Sequence, residues 1–393
     1  MWDVYLDNAS SSWPKLPGTI DAMNLYLRDY GCNTGRGVYQ KSMEVSGVIY
    51  ETREALTHFF GGENSSGLIF TNGVTQSLNL VLLGLLKRGD HVLLGGIAHN
   101  AISRPLAFLK QKNVNIETIP FSLEYGIDIS QMKKRIRKET KAVVITHGCN
   151  VSGYIQPLAE IGEICRENGL VFIVDAAQTA GFFPIHVNEL CIDALCFSGH
   201  KGLGGPPGIG GVLMSERLAR EVEPLMYGGT GGYADAAAMP HFLPERLEAG
   251  TMNIPGIYAL REAVRYLTLD RMKEEEKQVK ELTEYLQDEL QHIQGIRLVS
   301  CSDADRRGHV LSFQPKENSM ADMAMELDRN YGIMIRSGLH CAMSSHRVLG
   351  TLPEGTIRIS PGRRTKIEEI DYVIQAIWEI VNGKTRNKSH RII

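Results

Sequence analysis

Val171 to Gly205 reads VFIVDAAQTAGFFPIHVNELCIDALCFSGHKGLGG. Its first four residues are apolar and β-branched or aromatic, the signature of a strand buried on both faces of a parallel sheet. Asp175 ends that run. A second strand-like run from Asp193 to Phe197 ends in Ser198-Gly199-His200-Lys201-Gly202. An acid and a lysine therefore stand at the ends of two expected strands of one sheet. Ligands of open α/β sheets bind in the crevice beyond those ends.

Pyridoxal phosphate (PLP) needs such a pair. It takes a lysine for its carbonyl linkage and an acid that keeps its ring nitrogen protonated, so that the ring accepts electrons from the substrate carbon. The plain alternative is a buried salt bridge between Asp175 and Lys201. Ser198, His200 and the flanking glycines favour the cofactor, because a buried charge without a task is costly.

Working outward, strands and helices alternate. Strands are expected at 68–70, 91–94, 114–119, 142–146 and 212–214, with helices at 19–30, 42–60, 74–86, 101–111, 128–138 and 157–168. Such βαβ alternation implies an α/β fold with a mostly parallel sheet. A long charged helix or helix pair spans 257–292, and its charge run 273–277 reads as a solvated face. Short strands at 296–299, 309–313, 333–335 and 356–360 and helices near 320–330 and 366–382 then suggest a smaller α+β unit. The expected division is a large domain, 15–255, and a small C-terminal domain, 256–393, joined by residues 1–14.

Composition bounds the function. The 393 residues are 43% hydrophobic and 22% charged, with net charge -3, which is ordinary for a soluble globular protein. No basic excess points to nucleic acid, no apolar run reaches membrane-spanning length, and no signal segment opens the chain. Cysteines at 32, 149, 165, 191, 196, 301 and 341 are odd in number and scattered, which suits reduced thiols in a cytoplasmic setting. No zinc spacing is present. His340 and Cys341 would point to opposite faces if extended, which disfavours a metal site with His346.

Several positions carry chemistry. Strand, Thr71-Asn72-Gly73 turn and helix start at Val74 or Thr75 make an anion site, with free N–H groups and the helix dipole facing a phosphate. Capping by Asn72 or Thr75 is the plain alternative. The glycines of 202–211 fail the dinucleotide spacing, and 31–37 and 227–232 are further glycine loops. Tyr5-Leu6-Asp7-Asn8-Ala9-Ser10 reads as a strand and an Asx-type turn. Cys341 stands in a polar, histidine-bearing loop where a thiolate can be reached, whereas the other six cysteines read as core residues.

Asp175-Ala176-Ala177-Gln178 and Ser198-Gly199-His200-Lys201 together resemble the class V branch of fold-type I PLP enzymes, which includes cysteine desulfurases and selenocysteine lyases. YLDNAS at 5–10 resembles the opening of many desulfurases. RSGLHCA at 336–342 resembles an R-x-G-H-H-C-A signature, with Leu339 in place of its first histidine. The resemblance covers nearly the whole chain and implies the PLP-dependent transferase fold, like that of aspartate aminotransferase. It implies Lys201 as the cofactor lysine and Asp175 at the ring nitrogen. Gln178 falls at O3′, with Asn150 near O3′ and the substrate carboxylate, and His99 is stacked on the ring. Gly73, Val74, Thr75, Ser198 and His200 fall around the cofactor and its phosphate. It implies Cys341 as the sulfur-accepting nucleophile and Arg358 on the substrate carboxylate, where a surface ion pair is the plain alternative. It places Thr251, within Arg246–Thr251, at the phosphate of a partner subunit in a homodimer.

The implied activity is a cysteine desulfurase of sulfur metabolism, turning L-cysteine into L-alanine and leaving a persulfide on Cys341 for a protein acceptor. The alternatives are a selenocysteine lyase acting on L-selenocysteine, another class V enzyme such as an aminotransferase, or a non-catalytic sulfur carrier. Lys201, Asp175, His99 and Arg358 together argue against the last.

Overall fold

The computed structural model describes residues 3–34, 37–229 and 237–383. Arg36 and part of the 227–232 glycine loop lie outside them. In chain order the elements are β1 (Val4–Tyr5), α1 (Thr19–Leu25, running into π-helical Tyr26–Tyr30), α2 (Gln40–Phe59), β2 (Leu68–Thr71), α3 (Val74–Leu85), β3 (His91–Gly95), α4 (Asn100–Gln111), β4 (Asn115–Ile119), β5 (Phe121–Ser122), β6 (Gly126–Ile127), α5 (Ile129–Arg135), β7 (Thr140–Thr146) and α6 (Leu158–Glu167). Then come β8 (Val171–Asp175), β9 (Ala194–Ser198), β10 (Gly210–Met214), α7 (Glu216–Glu221), α8 (Ile254–Tyr266), α9 (Leu269–Leu290), β11 (Ile296–Leu298), β12 (Leu311–Pro315), α10 (Met320–Tyr331), β13 (Ile333–Met334), β14 (Arg336–Gly338), α11 (Met343–Val348), β15 (Thr356–Ile359) and α12 (Ile367–Val381).

A seven-stranded sheet in the order β2-β10-β9-β8-β7-β3-β4 organises the first part of the chain. All its pairings are parallel except those of β10, which runs antiparallel to β2 and β9. Alternate residues of one strand serve opposite faces. Phe172 and Val174 enter one core with α2, α6 and α8, and Val171 and Ile173 enter another with α3 and α4. Both faces are covered, which is why these strands read as unbroken apolar runs.

Four antiparallel strands, β11-β12-β15-β14, form the second sheet. They share a third core with α10, α12 and the C-terminal half of α9. Val4 and Leu6 belong to it as well, because β1 pairs in parallel with β13. The 257–292 segment is a pair of helices, broken where the Thr268 side chain accepts the Arg271 N–H and starts α9. The buried side of α8, and Met272 of α9, pack in the first core, so that core continues past residue 255. The changeover falls along α9, between Met272 and Leu282. Apolar periodicity marks a buried stripe without saying which core receives it.

Two smaller corrections concern strand and thiol. Asp193 precedes its strand and caps it, with its carboxylate taking the Phe172 N–H, the Ser215 hydroxyl and Arg217. Four of the six cysteines expected in the core are buried there, while Cys32 and Cys191 are only half-buried.

Candidate active site

Asp175 and Lys201 take the positions that the strand pattern predicts. β8 and β9 are parallel neighbours, Asp175 is the last residue of β8, and Lys201 follows the end of β9 by three residues. An open cleft of about 610 Å³ lies at these strand ends, lined by Gly73, Val74, Thr75, His99, Ser198, His200 and Lys201 among others. Three segments far apart in sequence therefore meet there. Asp175 is buried, and its Oδ1 accepts the Ala177 N–H at 3.0 Å. Burial pushes its carboxyl above the usual range, against that hydrogen bond and the charge of Lys201.

Burial of the Lys201 amine pulls its pKa down to about 8, with Asp175 pushing back up and Arg358 pulling further down. An amine with that pKa has an appreciable neutral fraction near neutral pH, as a nucleophile or base requires. His99 is held down to about 4, first by burial and then by Lys201. Its Nδ1 accepts the Ala101 N–H at 3.0 Å, which caps α4. The neutral ring therefore carries its proton on Nε2.

Neither Asn72 nor Thr75 caps α3. Its N-cap is Gly73, with φ 141°, and no side chain bonds the first turn from that position. Instead the Val74 N–H donates to Ser198 Oγ at 3.1 Å, tying the helix start to the end of β9. Thr75 is exposed into the cleft. Gly210 of β10 lies directly beneath, where a side chain would stand 2.7 Å from Gly73 Cα. Glycine there lets α3 begin close over the sheet.

A second group of residues is linked by hydrogen bonds. Arg358 of β15 is buried rather than on the surface; its Nη1 donates to Asn150 O at 3.2 Å, and Asn150 Nδ2 donates to His340 O at 2.7 Å. Cys341 follows, exposed, and its carbonyl accepts the Asn100 N–H at 2.7 Å, one residue from His99. His340 and Cys341 are not extended: both are left-handed, with φ of 46° and 55°, an uncommon state for residues with a Cβ. Burial holds His340 down to about 3, so it is a neutral neighbour of the thiol. His346 packs 5.7 Å from His340, ring to ring. Among the described residues no cluster of His, Cys, Asp or Glu is placed to hold a metal.

Gln178 is buried beside Ala9, donating from Nε2 to Ala9 O at 3.0 Å and leaving Oε1 without a partner. His200 keeps a buried Nδ1 without a partner. Thr251 is not brought into this cleft. It is exposed on a separate hollow beside Glu248 and Gly250. The segment leading to it is fixed by Arg246, which donates to Ala219 O and Arg220 O, and by Glu248, which pairs with Arg53.

Sequence reasoning missed the environment of Arg358. Asp7 is not merely a turn residue: its Oδ1 lies 2.8 Å from Arg358 Nη2, and its Oδ2 lies 3.8 Å from Arg336 Nε. Ser10 Oγ accepts from the same Nη2 at 2.6 Å. YLDNAS marked these residues as a motif, but nothing local links them to a strand some 350 positions away.

The aminotransferase class-V family model matches residues 4–373. A probable cysteine desulfurase of Methanothermobacter thermautotrophicus is 32% identical over 382 residues, covering 96% of this chain and 94% of its own. Among solved structures, the apo cysteine desulfurase of Thermococcus onnurineus NA1 superposes with a TM-score of 0.90 at 32% identity, over 97% of this chain and 95% of that one. The cysteine desulfurase CsdA of Escherichia coli superposes with a TM-score of 0.87 at 25% identity, over 98% and 96%.

Proposed function

The chain belongs to the aminotransferase class-V family, and from that premise we propose that it is a PLP-dependent cysteine desulfurase, converting L-cysteine to L-alanine and passing the sulfur to Cys341. The observation that carries the reading is the meeting of Lys201, His99 and the start of α3 in one cleft, with the Cys341 backbone tied to the residue after His99.

The residues suit PLP. Asp175 offers a buried carboxylate at a strand end, within the electrostatic reach of Lys201, where a protonated ring nitrogen would satisfy it. The N-terminus of α3, with Gly73, Val74, Thr75, Ser198 and His200 around it, is where a phosphate would sit. Gln178 has a second amide hydrogen for the ring oxygen besides the one given to Ala9, and the flat imidazole of His99 suits a ring face. Bound there, PLP supplies the electron sink that makes chemistry at the substrate's α-carbon possible.

The chain's own residues do the rest. Arg358 and Asn150 hold the substrate carboxylate and fix the amino acid's orientation. Lys201, with its lowered pKa, takes the proton from the α-carbon. The Cys341 thiolate attacks the substrate sulfur, which leaves carbon and stays on Cys341 as a persulfide. The neutral His99, protonated on Nε2, is placed to donate a proton. The same reading includes a homodimer in which Thr251 faces the neighbour's phosphate, a protein acceptor for the sulfur, and a cytoplasmic setting.

The test is sulfide and alanine release from L-cysteine by the PLP-loaded protein beside Cys341→Ala and Lys201→Ala. Equal amounts of both products, lost in both variants, are expected. Full sulfur release by Cys341→Ala would overturn the role of that thiol, and a loaded protein inert toward L-cysteine would overturn the assignment.

A further inference from the structure

Arg358 and Arg336 are direct cross-strand partners on β15 and β14. Like charges in that relation repel, and here one of them is buried. Asp7 answers both, through Oδ1 to Arg358 and Oδ2 toward Arg336. Two guanidinium groups facing one carboxylate leave one positive charge over, enough to match one incoming carboxylate.

The donors of Arg358 are unevenly used. Nη1 serves Asn150, Nη2 serves both Asp7 and Ser10, and the buried Nε has no partner. Nε and Nη2 form the fork that a carboxylate straddles with two oxygens. Half of that fork is free and half is held by Asp7. A bidentate substrate carboxylate must take Nη2 from it. Asp7 has somewhere to go: it stands 3.8 Å from Arg336, which is half-exposed and free to close the distance.

We propose that Asp7 sets the site's carboxylate affinity by competing with the substrate's α-carboxylate for Arg358, and that Arg336 receives Asp7 when the substrate binds. This rests on reading Arg358 as the carboxylate anchor. The arrangement keeps Arg358 neutralised before substrate arrives, and it lowers affinity for any carboxylate, product included. Ser10 adds to the competition, since its hydroxyl both accepts from Nη2 and donates to Asp7 Oδ1 at 2.7 Å.

The test uses sodium propionate, a carboxylate without an amine, titrated calorimetrically into the PLP-loaded full chain at fixed ionic strength. Asp7→Asn keeps a hydrogen-bonding side chain and removes the competing charge, so propionate is expected to bind about tenfold tighter. Arg336→Gln strands Asp7 on Arg358 and is expected to weaken propionate several-fold, an effect that vanishes in the double variant. Unchanged or weaker binding by Asp7→Asn overturns the proposal, as does an Arg336→Gln effect of equal size in both backgrounds. Should Asp7→Asn not fold, unchanged propionate affinity in Arg336→Gln overturns it. With L-cysteine, KM should fall in Asp7→Asn without a rise in kcat. A wild type that does not turn over L-cysteine speaks against the enzymatic reading, and the propionate titration still decides the role of Asp7.

Discussion

Glu248→Gln is the sharpest perturbation of the scaffold behind the site. Glu248 and Arg53 form a two-pronged pair at 2.8 and 2.9 Å, and both side chains are 7% exposed. Arg53 also donates to Leu68 O and lies 4.7 Å over the Phe70 ring, while Glu248 Oε1 accepts the Phe70 N–H at 2.6 Å. The pair thus fastens the segment leading to Thr251 onto α2 and β2. Gln can keep the Phe70 hydrogen bond, but it leaves a buried guanidinium without a counter-charge, at a cost of about 3–5 kcal/mol. With an unfolding entropy of about 2.1 cal/mol/K per residue, that is a fall in Tm of about 4–6 °C for a chain of this size. Replacing both partners, Arg53→Met with Glu248→Leu, removes the stranded charge and leaves the Phe70 N–H unpaired, at about 1–3 kcal/mol, while Leu68 O loses the hydrogen bond from Arg53. Thermal unfolding of the three proteins by circular dichroism measures the order. A double variant no more stable than Glu248→Gln refutes the argument that the stranded charge dominates.

Acid stability follows from the buried histidines. Burial holds His147, His309 and His340 down to about 3, and His99 and His200 to about 4. Their folded pKa values lie below the unfolded 6.5, so the stability they confer is complete above pH 6.5 and is lost as pH falls toward 4 and then 3. Each contributes a slope of about 1.4 kcal/mol per pH unit in that window, while the raised carboxyl of Asp175 acts in the opposite sense. Urea midpoints measured from pH 7 to pH 5 should drop steeply, and a flat profile would contradict the neutral burial of these rings. Gly210→Ala places a methyl 2.5 Å from Phe197 O and 2.7 Å from Gly73 Cα. The expected result is loss of PLP uptake, read from visible absorbance, with little change in helix content. Full uptake would show that α3 need not start so close to β9.

The seven-stranded sheet was legible because each of its central strands is a short apolar run ended by a polar or glycine signal, and both faces are buried. Asp175 and Lys201 stood out for the same reason, as charges where the apolar run stops. The direction of β10 was not legible, since alternation carries no sense of polarity along the chain. Nor were α7 and α11, six residues each, too short to complete a periodic pattern. The partnership of Asp7 with Arg358 and the left-handed backbone at His340 and Cys341 arise from contacts between distant segments. Local preference does not foretell either: Asp after a strand favours a turn, and although His tolerates positive φ better than most residues, Cys does not, and two such residues in succession are uncommon.

The pairing of β1 with β13, together with the contact of Asp7 with Arg358, has a consequence for how the protein is made. Residues 4–8 leave the ribosome long before their partners at 333–334, 358 and 360, which lie more than 300 residues further along the chain. At about 5–20 residues per second, roughly a quarter to a full minute of synthesis separates them. Throughout that time the central sheet can close while the leading strand has no place to dock. Arg358, for its part, meets its counter-ion the moment β15 forms, because Asp7 has been waiting. Arg358 is therefore placed late, after the strand-end cleft of Lys201 and His99 has its own residues, and translation that stops short of it leaves Asp7 and Asn150 without the guanidinium that links them.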